Sequence, residues 1–96
     1  MTQETKSMFE FEESVLLQEV TTTDISELIV YNDDFITFDW VITCFIDILG
    51  HSSEQSEQLA YIIHYTGKAA VKVGSADILQ PYKEALIERG LSAVIA

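Results

Sequence analysis

The chain reads as an α+β domain, a two-layer sandwich of order β-α-α-β-α-β with three helices on one face of a three-stranded antiparallel sheet. Short runs rich in β-branched or small apolar residues stand at Glu27 to Tyr31, Lys68 to Val73 and Leu91 to Ile95, each too short for a helix. Between them lie segments of about ten to fifteen residues whose apolar positions recur every three or four residues, as a helix with one buried face requires. Hydroxyl residues precede those segments and glycines follow them, which is the usual punctuation of helix ends.

The first strand, from about Glu27 to Tyr31, stops abruptly at Asn32-Asp33-Asp34. These side chains can hydrogen-bond their own backbone and so favour a turn. Thr37 then stands where an N-cap would, ahead of a helix over about 38–49 whose Val41, Ile42, Phe45, Ile48 and Leu49 share one broad face. Gly50 closes it. Ser52 and Gln55 have the spacing of a capping box and start a second helix carrying Leu59, Ala60, Ile62 and Ile63, which Gly67 ends.

Lysines alternate with small apolar residues from Lys68 to Val73, the pattern of a half-exposed strand. Gly74-Ser75 turns the chain and caps a third helix over about 76–89, stopped by Gly90. Pro81 lies beyond its first turn and removes a backbone donor, so the helix either starts late or bends near Gln80. Leu91 to Ile95 suits a buried strand joining the first two. No period persists through residues 1–24, which are expected to be an acidic, mobile extension with a transient helix at 15–20, ahead of a core domain at 25–96.

Ninety-six residues make one modest core. Sixteen acidic against five basic residues leave a net charge of −11, which opposes binding to nucleic acid or anionic membranes. The N-terminus lacks the basic and apolar regions of a secretory signal, and the longest apolar run, Trp40 to Leu49, is broken by Asp47 and too short to span a bilayer. A soluble, cytoplasmic protein is expected. Cys44 has no second cysteine to pair with and sits in an apolar-periodic segment, as a buried thiol acting as a small hydrophobe would.

The Asn32-Asp33-Asp34 loop holds two carboxylates and an amide between rigid elements, with no basic residue nearby in sequence. It suits a positively charged ligand group, the amide supplying direction. The same residues also suit an ordinary strand-to-helix turn. His64 lies near the end of the second helix, on the side that carries Ala60 and Ile63. In an antiparallel hairpin it comes close to Asn32, Asp34 and Phe38; the alternative is a core-edge histidine satisfied by a backbone carbonyl. No ligand-pair spacing links His51, His64 and Cys44, so no metal or cofactor is expected. A small hydrolase pairing His64 with Asp33 or Asp34 would lack a nucleophile and an oxyanion motif, so no catalytic residue is assigned.

Val30-Tyr31-Asn32-Asp33-Asp34-Phe35, the apolar helix that follows, and Ile63-His64-Tyr65-Thr66-Gly67-Lys68-Ala69 resemble the ClpS adaptors of bacterial ATP-dependent Clp proteases over about residues 27–96. The resemblance implies a non-enzymatic, monomeric adaptor that recognises proteins beginning with Leu, Phe, Tyr or Trp and delivers them to the N-terminal domain of a ClpA/ClpC-type AAA+ ATPase. It implies that Asn32 and His64 hydrogen-bond the free α-amino group, with Asp34 acting through a water. Phe38 would sit at the pocket mouth where the family often has Met, with Val41, Ala60, Ile63 and Ala93 forming the apolar pocket. Asp77 matches an acidic position of the ATPase-docking surface, and Tyr82 stands there where Lys is frequent. Ile36 replaces a usual Thr, Ala60 a common Met and Ala93 a Leu, departures that bear on specificity. The competing function is an acidic interaction domain of similar fold, such as a ribosome-stalk-like module, that does not read N-terminal residues.

Overall fold

The computed structural model describes residues 25–96, and the elements follow the expected order. They are β1 (Ile25–Tyr31), α1 (Phe38–Leu49), α2 (Ser53–Thr66), β2 (Lys68–Ser75), α3 (Ala76–Glu88) and β3 (Ser92–Ile95). The expectations for residues 1–24 lie outside the described residues.

β1 occupies the centre of the sheet, antiparallel to both neighbours in the order β2-β1-β3. The connections explain this order. The α1–α2 hairpin returns the chain beside β1 to form β2, and α3 then crosses β1 to reach the far edge. Along β1, Leu28 and Val30 are buried beneath the helices while Glu27 and Tyr31 are exposed, the alternation a one-sided sheet demands. A register shift opposite Leu28 and Ile29 leaves Val71 as an extra, buried residue on β2, and Lys72 lies 4.9 Å over the ring of Tyr82 on α3.

Each helix begins on a side-chain cap. The hydroxyls of Thr37, Ser52 and Ser75 accept from the backbone N–H of Trp40, Gln55 and Ile78 at 3.1, 3.0 and 3.3 Å. Each such cap is worth about 1 kcal/mol. Among the described residues only the Ser52 half of the expected capping box is made. α3 begins at Ala76 and continues through Pro81, which excludes the late start.

The core gathers Leu28, Val30, Cys44, Phe45, Leu79 and Leu86, all nearly or fully removed from water. Each large apolar side chain buried there contributes about 1.5–3 kcal/mol. On α2 the buried stripe is Ser56, Ala60 and Ile63, whereas Ile62 is 45% exposed. Two residues beyond Ala60, it lies about 200° further round the helix. Burial pushes the Cys44 thiol above its ordinary range, partly opposed by a hydrogen bond and the charge from Arg89.

Two contacts pin the helical layer. The Trp40 indole N–H donates to the Arg89 carbonyl at 2.9 Å, and the His51 Nε2–H donates to the Val71 carbonyl at 2.8 Å, fastening the α1–α2 turn to β2. No helix among the described residues is long and apolar enough to cross a membrane, and no group of His, Cys, Asp and Glu among them is arranged to hold a metal ion.

Candidate functional site

The site forms where the end of β1 meets the end of α2. The backbone N–H of Asn32 donates to the Gly67 carbonyl at 2.9 Å, tying the loop to the helix end just beyond His64. Gly67 has a φ of +100°, a left-handed conformation that glycine adopts without the Cβ clash other residues suffer. The next residue fastens the loop on itself. Asp33 Oδ1 accepts from the Phe35 N–H at 2.9 Å, and its carbonyl accepts from the Ile36 N–H at 3.1 Å.

With Asp33 engaged in this way, Asn32 and Asp34 remain exposed, and their side chains make no hydrogen bond among the described residues. His64 is likewise exposed, with its ring edge-on to Tyr65 at a centroid distance of 4.8 Å. The backbone-carbonyl bond considered for His64 is made instead by His51.

Asn32, Asp34 and His64 lie together on the lining of a cavity of about 370 Å³. Phe38, Val41, Ala60 and Ile63 also line it, Ala60 and Ile63 being almost fully buried. The α1–α2 hairpin brings these groups together, because Phe38 at the start of α1 reaches Tyr61 near the end of α2, with centroids 4.8 Å apart.

Ala93 is placed differently from the sequence expectation. It pairs with Val30 across β1 and β3 and is buried in the core, whereas the β3-side residue lining the cavity is Leu91. Gly90, at φ +96°, turns the chain ahead of β3 so that Leu91 precedes the strand. Tyr31, Tyr61, Tyr65 and Leu91 are lining residues that the sequence reading missed. Tyr61 and Tyr65 flank His64 at helical spacing, a signal that was available. Asp77 and Tyr82 are not on the lining: Asp77 is exposed in the first turn of α3, and Tyr82 is half-buried beneath Lys72.

The lining contains two carboxylates and no Lys or Arg, beside an amide, an imidazole and an apolar wall. Such a cavity suits a molecule that carries an ammonium group next to an apolar side chain. Fold and site thus define a small α+β binding domain.

The family model described as ATP-dependent Clp protease adaptor protein ClpS matches residues 22–93. The ATP-dependent Clp protease adapter protein ClpS of Thermosynechococcus vestitus is 36% identical over 67 residues, spanning 69% of this chain and 71% of that protein. Its counterpart in Treponema denticola is 39% identical over 51 residues, 53% of this chain and 50% of that protein. The structure of Agrobacterium tumefaciens ClpS2 bound to L-phenylalaninamide has the same fold, with a TM-score of 0.70 at 22% identity, covering 76% of this chain and 95% of that one. The chain belongs to the ClpS family of Clp protease adaptors, and it is an adaptor rather than an enzyme.

Proposed function

We propose that this adaptor binds proteins whose N-terminal residue is Leu, Phe, Tyr or Trp and delivers them to the N-terminal domain of a ClpA/ClpC-type AAA+ ATPase in the cytoplasm. The reading rests above all on the convergence of Asn32, Asp34 and His64 on a cavity walled by Val41, Ala60 and Ile63. An α-amino group, with a reference pKa of about 7.7–8.0, is mostly cationic at neutral pH and requires acceptors. The amide oxygen of Asn32 and a neutral His64 nitrogen supply them, and Asp34 adds negative charge through a water.

The first side chain enters past Phe38. Each charge-assisted hydrogen bond contributes about 1.5–3 kcal/mol and a buried Phe or Leu side chain about 1.5–3. After association costs this is compatible with micromolar affinity, about 8 kcal/mol. A residue branched at Cβ is stiffer and wider at the neck, so Val and Ile bind poorly. The ligand of the Agrobacterium structure, a phenylalanine derivative, is in keeping with this reading.

Asp77 and Tyr82 on α3 are the assigned ATPase contacts, and residues 1–24 serve delivery rather than peptide binding. The test is a reconstituted ATPase and protease given a reporter beginning with Phe or with Val. The chain should accelerate degradation of the Phe reporter only, and deletion of residues 1–24 should abolish that acceleration while leaving peptide affinity intact. Equal degradation of both reporters would contradict the proposal.

A further inference from the structure

Beyond the groups assigned to the first residue, the cavity carries a row of aromatic rings with no role in that reading. Tyr61 and Tyr65, one turn apart on α2, have planes within 13° and centroids 6.1 Å apart. Phe38 closes on Tyr61 at one end, and the His64 imidazole meets Tyr65 edge-on at the other. The row therefore joins the mouth of the apolar pocket to one of the proposed amine ligands.

Both tyrosines are open to solvent, 47% exposed at Tyr61 and 75% at Tyr65. Three other rings of the described residues have one of the chain's own cations over them, Tyr31 with Lys68, Tyr82 with Lys72 and Trp40 with Arg89, and the exposed Phe35 belongs to no ring pair among the described residues. No such cation lies over the Tyr61–Tyr65 pair among the described residues. An offset stack left uncovered beside a binding cavity has a ring face to offer a ligand.

We infer that Tyr61 and Tyr65 form a subsite for the second residue of the bound peptide, selecting a flat apolar side chain there, an aromatic one above all. The inference rests on the first-residue reading. A peptide whose amine is held by Asn32 and His64 has its second Cα only about 3.8 Å beyond its first, so the second side chain is within reach of the Tyr65 ring that touches His64. Flat apolar groups both extend the stack and remove ring area from water. A cation at so exposed a place keeps most of its hydration and gains less.

The experiment measures binding of labelled peptides to the full chain by fluorescence anisotropy. The peptides begin with Phe, carry Phe, Gly, Lys or Asp at the second position, and are prepared with free and with acetylated amines. Phe-Phe should bind about two- to tenfold more tightly than Phe-Gly. Tyr65→Ala should bring that ratio close to one, whatever it does to both affinities, and Tyr65→Phe should retain it. A ratio of one in the parent chain, an unchanged ratio in Tyr65→Ala, or tighter binding of Phe-Lys than of Phe-Phe would overturn the subsite. Equal binding of free and acetylated peptides would instead overturn the first-residue reading, and the subsite with it.

Discussion

Asn32 and Asp33 are neighbours in one short loop, yet truncating them should have opposite consequences. Asn32 is exposed, its side chain makes no hydrogen bond among the described residues, and its backbone N–H bond to Gly67 at 2.9 Å survives replacement by alanine. Asn32→Ala should therefore leave stability within about 0.5 kcal/mol of the parent. Its effect belongs to binding. Loss of one charge-assisted hydrogen bond to the ligand ammonium removes about 1.5–3 kcal/mol, an affinity loss of about 10- to 150-fold.

Asp33 is half-buried and holds the Phe35 N–H at 2.9 Å, so Asp33→Ala frees the loop and costs about 1 kcal/mol of stability. In a domain of this size that lowers Tm by about 4–8 °C. Anisotropy with a peptide beginning in Phe, paired with thermal unfolding of each variant, separates the two effects. The reasoning is refuted if Asn32→Ala binds within twofold of the parent, or if it is Asn32→Ala rather than Asp33→Ala that lowers Tm.

Three further outcomes are expected. His64→Ala should weaken peptide binding about tenfold or more without lowering Tm, whereas His51→Ala, which strands the Val71 carbonyl, should lower stability by about 1 kcal/mol, as denaturant unfolding will measure. Ser56 is fully buried with a hydroxyl unpartnered among the described residues, so Ser56→Ala should raise stability by about 1 kcal/mol. The buried Cys44 thiol has a raised pKa, so above the unfolded thiol's ordinary value of about 8.5 the unfolded state binds fewer protons than the folded one. The stability tied to this group is therefore complete below that pH and is lost as pH rises through the folded value, a decline that Cys44→Ala should reduce in unfolding curves taken from pH 8 to pH 10.

α1 was legible to the residue because Thr37, an unbroken apolar period and Gly50 agree, and local signals suffice where cap and stripe coincide. β1 begins at Ile25 rather than near Glu27 because pairing of Ile25 and Ser26 with Ser75 and Gly74 extends it. That long-range pairing also carries β2 through a glycine that reads locally as a turn, while Ser75 still caps α3. The bulge at Val71 left no trace in the alternation of lysines and small residues.

In the site, Asn32, Asp34 and His64 could be brought together on paper because a hairpin has only one sensible direction, and the wall residues of α1 and α2 followed from the helical period. The resemblance alone assigns Ala93 to the pocket, and nothing local to it shows that the chain turns at Gly90 so that Leu91, just ahead of β3, reaches the cavity while Ala93 pairs with Val30 further along the strand. Spacing alone does not tell Asp33 from Asp34, and it is the resemblance that assigns the amine to Asp34. The bond to Phe35 supplies the physical distinction between the loop's fastener and the carboxylate left open at the cavity.

The central claim, that the cavity reads a free N-terminal amine together with the side chain next to it, is tested most directly by titrating the chain with two peptides identical except for acetylation of an N-terminal Phe. The free peptide should bind with micromolar affinity. Acetylation should weaken it by at least about 100-fold, because Asn32 and His64 would face a neutral amide in place of three ammonium protons. Equal affinity for the two peptides would contradict the account.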